Sequence, residues 1–354
     1  MEVPGGDRPP VIDALAGPAR PLDCPVAEPM ATTRHRPPYR LAALLFLLTA
    51  LTTTTLGGVV LLATRTDTTI DVLPFLGPQT LRRVWGDQEL LRTGLSFSIP
   101  LLLILMAHEL GHYVACRRHR IQATVPYFLP APFFIGTFGA FIRIRSQIRD
   151  RRRLFDVGIA GPIAGFVTLL PFLLYGVARS RPGVIHLAES PDLADAILYR
   201  PGTNLAITLT SWVFHGTSIS PGSLDLHPFA LAAWVGLLAT ALNLVPLGQL
   251  DGGHILFAAN AKAHRALAWP LWLGLLACGW FWQGWLLWCV LVLVMGLRHP
   301  TVVDPEPLDP RRRRLALLAP LMLALAFTPI PLEYVWVQDP PGVLVAVWNA
   351  WSGR

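Results

Sequence analysis

Apolar residues gather into segments of membrane-spanning length at about 41–63, 94–116, 154–178, 228–246, 266–297 and 315–331, with a weaker one at 342–351. A helix needs roughly 20 apolar residues to cross a bilayer core of about 30 Å. The fifth segment is too long for one span without strong tilt and is interrupted at Gln283-Gly284. That predicts a hairpin of two short helices. The expected fold class is an all-α polytopic membrane protein with about six to eight transmembrane helices. Between the second and third segments the pattern changes. From Val125 to Arg145, aromatic and β-branched residues are punctuated by Pro126, Pro130, Pro132, Gly136 and Gly139, and at the end Phe141, Arg143 and Arg145 alternate with Ile142 and Ile144. The alternation predicts a short membrane-associated β-hairpin between the second and third spans. A bare strand edge in lipid is costly, so such a hairpin is buried in protein, lines a watery cavity or rests on the headgroups.

Polar residues orient these elements. Residues 1–38 are rich in Pro, Arg and acidic side chains without periodicity and read as a disordered cytoplasmic tail, too long and polar for a signal peptide. Residues 39–354 read as one integral membrane domain. Arg34, Arg36 and Arg40 precede the first span, and nine arginines from Arg117 to Arg153 fill the connection after the second. Both stretches belong on the cytoplasmic side by the Lys/Arg rule, which puts the 179–227 connection outside. A hairpin at 266–297 then returns Arg298 and Arg311 to Arg314 to the inside, whereas a single span would not.

Composition agrees with this reading. Hydrophobic residues make up 53% and charged residues only 14% of 354 positions, against about 25% charged in soluble domains. The formal net charge of +7 is therefore read as topology, with the lipid bilayer as partner and nucleic acid excluded. Cys24, Cys116, Cys278 and Cys289 are scattered, so neither a disulfide framework nor a Cys-x-x-Cys metal knuckle is present.

The chemistry concentrates at the end of the second span, in His108-Glu109-Leu110-Gly111-His112. At about 100° per residue, His108 and His112 project from one helix face a turn apart, with Glu109 beside them, which is the zinc-hydrolase arrangement. Two histidines and a water leave a catalytic zinc one protein ligand short. The candidate is Asp251, directly after the fourth span, where Pro246 ends the helix and Gly252-Gly253 allow close backbone approach. Alone, Asp-Gly-Gly reads as a turn or a helix N-cap. Its position gives it weight, because both spans finish on the cytoplasmic side. His254 competes for the role, but a helix starting at Gly252 turns it away. Cys116, four residues past His112, is a second candidate.

At this point the chain resembles the site-2 protease family of intramembrane zinc metalloproteases. The resemblance rests on His108-Glu109-Leu110-Gly111-His112, on Gly161-Pro162-Ile163-Ala164-Gly165 and on the stretch from Asn243 to Asp251-Gly252, and it covers about 100–256. It implies zinc held by His108, His112 and Asp251, Glu109 as general base, and Asn243 as a substrate-orienting or oxyanion-stabilising group. It also implies a catalytic core of about 94–256 and a substrate-binding strand at Gly136, Thr137, Phe138 and Gly139. The stretch from Phe138 to Phe141, that from Ala160 to Pro162 and Arg298-His299-Pro300 are most similar to the branch found in cyanobacteria and plastids. The 179–227 connection is too short for a PDZ domain and residues 332–354 for a CBS pair, so neither module is expected. The implied activity is hydrolysis of peptide bonds in transmembrane protein substrates, in a bacterial inner membrane. Rival readings are a membrane-anchored protease acting on soluble or misfolded proteins, a metal transporter, and a noncatalytic relative that binds membrane helices. The transporter is disfavoured because spans other than the second carry almost no ionisable residue.

Overall fold

The structure, a computed structural model, describes residues 39–63, 76–132, 135–182, 197–216, 224–300, 302, 304 and 306–336. The expected tail at 1–38, Phe133-Phe134 and the weak apolar segment at 342–351 lie outside the described residues. The helices are α1 (Tyr39–Ala63), α2 (Pro78–Gly86), α3 (Gln88–Arg118), α4 (Arg151–Arg179), α5 (Leu205–His215), α6 (Pro228–Leu244), α7 (Asp251–Ala259), α8 (Ala261–Cys278), α9 (Gly284–Met295), α10 (Pro310–Leu315) and α11 (Leu318–Ala326). Among them α1 over Tyr39–Val59, α3 and α4 are long and apolar enough to cross a membrane, while α5, α6 and α9 are shorter apolar helices.

The fifth apolar segment is the expected pair of helices, α8 and α9, broken at Gly279–Gln283. The sixth is helical as far as Ala326: α11 continues from α10 through a tightened turn at Ala316-Leu317, where both residues keep right-handed helical angles, and the chain then leads into a strand. The chain is mostly helical, yet not all-α: besides the hairpin of β1 (Tyr127–Pro130) and β2 (Thr137–Phe141), β3 (Arg181–Pro182) pairs with β5 (Leu224–Asp225), and β4 (Ile197–Pro201) pairs with β6 (Leu332–Trp336). The connection expected at 179–227 thus carries α5 and ties itself to the chain after α11.

Packing among α1, α3, α4 and α6 relies on small residues that let backbones approach, the usual device where lipid supplies no hydrophobic drive. A Cβ on Gly94 of α3 would lie 2.1 Å from the Thr54 carbonyl of α1, and one on Gly176 of α4 would lie 2.3 Å from the Ala230 amide of α6. Buried threonines of α1 add polar attachment. Thr54 Oγ1 meets Ser98 Oγ at 2.7 Å, and the Thr52 hydroxyl donates to the Gly136 carbonyl at 2.6 Å. The core is filled by Phe97, Leu101 and Ile104 of α3, Leu169 and Leu173 of α4, Ile207 of α5 and Leu237 of α6.

The hairpin is antiparallel, with Tyr127 opposite Phe141 and Leu129 opposite Gly139, and its register shifts between Leu129 and Pro130. Phe138 is the extra residue of that bulge and is exposed. The arms continue past the named strands: the Thr124 amide donates to the Arg143 carbonyl at 3.0 Å and the Arg145 amide to the Gln122 carbonyl at 2.7 Å. Ile142, Ile144 and Ile148 turn inward against Cys116, Ile121 and Val157, while Arg143, Arg145 and Arg149 are exposed.

Candidate metal centre

The site is assembled from two helix ends. α3 starts on an Asp87 cap, whose carboxylate accepts from the Glu89 and Leu90 amides, and runs unbroken to Arg118. This continuity places His108 and His112 one turn apart and buries both, with Glu109 between them. α6 stops at Leu244, and after a turn α7 begins at Asp251 itself, so the carboxylate leaves the first residue of a helix.

His108, His112 and Asp251 bring one donor atom each to a common point. Nε2 of His108 lies 3.1 Å from Asp251 Oδ2, Nε2 of His112 lies 3.2 Å from the same oxygen, and the two Nε2 atoms are 3.1 Å apart. Zinc bonds of about 2.0–2.2 Å at tetrahedral angles separate neighbouring donors by about 3.3–3.5 Å, so the triangle needs only a small expansion to hold the ion. The tautomer of His112 supplies an independent test. Its Nδ1 is 2.7 Å from the Val157 carbonyl and therefore carries the proton. In the neutral ring Nε2 presents a lone pair to a carboxylate oxygen, an acceptor facing an acceptor. A positive charge between them removes that conflict: a proton on Nε2 does so for His112 and Asp251, and a metal ion does so for all three groups at once. The residues fit zinc.

The glycines of α4 make room for this geometry. A Cβ on Gly161 would sit 2.1 Å from His112 Nε2, and one on Gly165 would sit 3.1 Å from His108 Cβ. A Cβ on Gly111 would lie 2.4 Å from the Ala160 carbonyl. The sequence marks Gly161 and Gly165 as a motif; their structural role is to seat the two imidazoles.

The remaining expected residues divide. The backbone amide of Ile142, just past β2, lies near the Glu109 carboxylate. Asn243 is half-buried in the last turn of α6, and its side-chain amide makes no hydrogen bond among the described residues. Gly136 and Gly139 both have positive φ, 85° and 99°, which favours glycine. Gly136 packs on α1, where its Cβ would meet the Thr53 amide at 2.5 Å, whereas Gly139 faces open space. Thr137 is buried; its hydroxyl donates to the Leu129 carbonyl and accepts from the Gly139 amide, each at 2.9 Å. Gly136 and Thr137 therefore shape the hairpin, and Phe138 and Gly139 are its accessible part. Cys116 is packed among Ala115, Ile121 and Val157, away from the three donors. His254 turns to His299 instead of joining them.

Two features were not read from sequence. Asp156, one turn before the Gly161 face, is held by Arg312 of α10 through Nε at 2.7 Å and Nη2 at 2.6 Å, and by His119 Nε2 at 2.9 Å. An acid within the first two turns of an apolar helix, three positions past the last residue of Arg151-Arg152-Arg153, was the available signal. The other feature is the His254–His299 pair, whose members are 45 residues apart.

Residues 96–268 match the family model described as Peptidase family M50. The chain is 30% identical over 325 residues to a protein of Arabidopsis thaliana named probable zinc metalloprotease EGY1, chloroplastic, covering 86% of this chain and 55% of that one. It is 35% identical over 178 residues to probable zinc metalloprotease EGY2, chloroplastic, of Oryza sativa subsp. indica, covering 50% of this chain and 31% of that one. The chain thus spans about half, or less, of the length of these relatives. No solved structure matches.

Proposed function

Because this chain belongs to peptidase family M50, the site-2 protease family of zinc metalloproteases, we propose that it is a zinc metalloendopeptidase that hydrolyses peptide bonds of membrane-spanning proteins within or near the bilayer. The observation that carries this reading is the convergence of His108, His112 and Asp251 at metal-ligand spacing with Glu109 buried beside them. Its site lies on α3, a helix apolar enough to span a membrane. The proposal takes 39–354 as the protease domain, about 94–256 as its catalytic core, and six to eight spans formed by the long helices together with the shorter apolar ones. For the compartment it keeps a bacterial inner membrane.

In this reading His108, His112 and Asp251 hold the metal. Bound zinc supplies Lewis-acid activation of water and of the scissile carbonyl. Glu109 takes a proton from the attacking water and delivers it to the leaving amine, the exchange expected of a carboxylate next to such a site. The Ile142 amide, near that carboxylate, is placed to orient it. Asn243 turns its amide to the developing oxyanion, a contribution of roughly 3–4 kcal/mol in comparable sites.

A substrate helix shields its own carbonyls by hydrogen bonding, so it must unwind before it is cut. The outer edge of β2, beside Glu109, is suited to receive the unwound segment as an added strand. Phe138 and Gly139 would then touch the substrate, while Gly136 and Thr137 keep the hairpin in shape.

The test is Glu109→Gln in membranes. Zinc content is expected to stay at about one per chain, cleavage to be lost, and uncut transmembrane proteins to accumulate with the variant. Accumulation of soluble proteins instead would favour a membrane-anchored protease with soluble substrates. Cleavage near the wild-type rate would place the base elsewhere, and a wild-type chain that holds zinc but cleaves nothing would be a helix-binding relative.

A further inference from the structure

We propose that His299, through His254, is a positioning residue that holds the first turn of α7 so that Asp251 meets the two histidines. The proposal rests on the reading of Asp251 as a zinc ligand.

That turn is weak on its own. Its N-cap is Leu250, which offers no side-chain hydrogen bond to the free amides. Gly252 and Gly253 follow, each costing up to about 1 kcal/mol relative to Ala in a helix. The Asp251 carboxylate, the natural partner for those amides, is turned to the histidines instead. Left to itself, the turn would fray and carry the ligand with it.

The loop after α9 supplies the restraint. α9 ends at Gly296, whose φ of 92° turns the chain back. The Gly248 amide donates to the Leu297 carbonyl at 3.1 Å, and Gln249 Nε2 donates to the Met295 carbonyl at 3.3 Å. Two residues beyond Leu297, Nε2 of His299 lies 2.8 Å from His254 Nδ1. Nδ1 of His299 lies 2.5 Å from the Pro300 carbonyl and so carries its proton, leaving Nε2 as acceptor. His254 Nδ1–H is therefore the donor. The direction of the bond follows from the backbone, with no charged imidazole required.

Both rings are fixed from other sides. Phe257, one turn after His254, stacks on His299 with centroids 4.4 Å apart and planes 24° apart. His254 Cβ rests where a Cβ on Gly158 of α4 would come within 3.0 Å. His254 is thus held between the glycine face that seats His112 and a histidine from the loop after α9. It lies three positions after Asp251, so the two share one helical turn. Arg298-His299-Pro300, conspicuous in the sequence and otherwise without a role, acquires one here.

The test measures zinc release from full-length protein in detergent to a chromophoric chelator, together with the visible spectrum of the cobalt-substituted protein and the unfolding midpoint of the metal-free form. His299→Ala is expected to release zinc about tenfold faster, as loss of outer-shell partners does elsewhere, and to alter the cobalt spectrum, with the metal-free midpoint unchanged. Free imidazole, filling the space against Phe257, should restore slow release. His254→Ala should match it, and the double variant should be no worse than either single one. If His299→Ala does not fold, His299→Gln, which keeps an acceptor for His254, is expected to stay within about twofold of wild type, against tenfold acceleration in His254→Ala. Wild-type release in His299→Ala, or additive losses in the double variant, would overturn the positioning role while leaving the zinc site intact. A wild-type protein without zinc would overturn both.

Discussion

Gly161 of α4 lies so close to His112 of α3 that a Cβ there would fall 2.1 Å from Nε2, the atom that faces Asp251. The nearest obstacle is the tip of a side chain, so the helices need not separate if a methyl group is added; the ring need only swing. Swinging would remove Nε2 from the donor triangle and break the bond from Nδ1 to Val157. Gly161→Ala is therefore expected to fold, gaining up to about 1 kcal/mol in helix propensity, yet to lose zinc. Metal analysis beside an unfolding curve checks this. Gly111→Ala should do the opposite kind of damage, because its obstacle is the Ala160 backbone at 2.4 Å: a loss of about 1–3 kcal/mol through forced separation of α3 and α4.

Removing a ligand should be distinguishable from removing a neighbour. Asp251→Ala leaves two histidines and should reduce zinc to well under one equivalent after dialysis, since catalytic sites hold the ion with three protein ligands. Cys116→Ala, which removes a sulfur packed against Ile121 and Val157, should retain a full equivalent. Equal retention in both variants would refute the ligand set.

The motif on α3 was legible because all its information is local: two histidines and a glutamate on one helix, with chemistry set by their spacing. Asp251 was legible as a candidate because Pro246 and the glycines around it announced a turn at the same membrane side. The grip of Arg312 on Asp156 and the meeting of His254 with His299 join residues 156 and 45 positions apart, and no periodicity encodes such pairings. The sixth apolar segment misled for a related reason. Composition reports apolarity over 315–331, but the helix stops at Ala326 and Leu332 enters a strand paired with Pro201, a partner far away in sequence.

The Asp156–Arg312 pair ties the start of α4 to α10, and His119 brings in the end of α3. Its two short guanidinium bonds are charge-assisted and bidentate, although partly exposed, so Asp156→Ala is expected to cost about 1–2 kcal/mol after allowance for solvent screening. Asp309, which caps α10, is the pH-sensitive member. The Arg312 backbone amide and guanidinium hold its carboxyl down at about 2, below the ordinary value near 3.9. A depressed folded-state value contributes stability above about pH 4, and that contribution is lost as pH falls from about 4 to about 2. The protection factors of the Arg311 and Arg312 amides, in which the intrinsic pH dependence of exchange cancels, should fall across that window in the native chain, whereas in Asp309→Asn they should stay level. Constant protection in the native chain would contradict the assignment.

The open edge of β2 admits a sharper test than substitution of its glycines. Gly139 has φ of 99°, and its amide is already engaged by Thr137 Oγ1. Proline there, fixed near −65°, would wreck the hairpin whether or not substrate pairs with it. The second arm shows which groups are free. Arg143 and Arg145 turn their main-chain groups to the first arm, the carbonyl of one accepting from Thr124 and the amide of the other donating to Gln122. Strand alternation then aims the main-chain groups of Ala140 and Ile142 away from the first arm, in agreement with the Ile142 amide lying near Glu109. Ala140→Pro therefore removes an outward donor while sparing the ladder to β1, the placement that sheets tolerate at an edge. It is expected to reduce cleavage by about fivefold, the loss of one main-chain bond at about 1 kcal/mol, with zinc content and unfolding midpoint unchanged. Helix-breaking residues placed near the scissile bond of a substrate should speed its cleavage by wild type and leave the variant's defect in place, because unwinding and strand pairing are separate steps. Cleavage by Ala140→Pro at the wild-type rate would remove the strand-addition model and leave the metal centre standing.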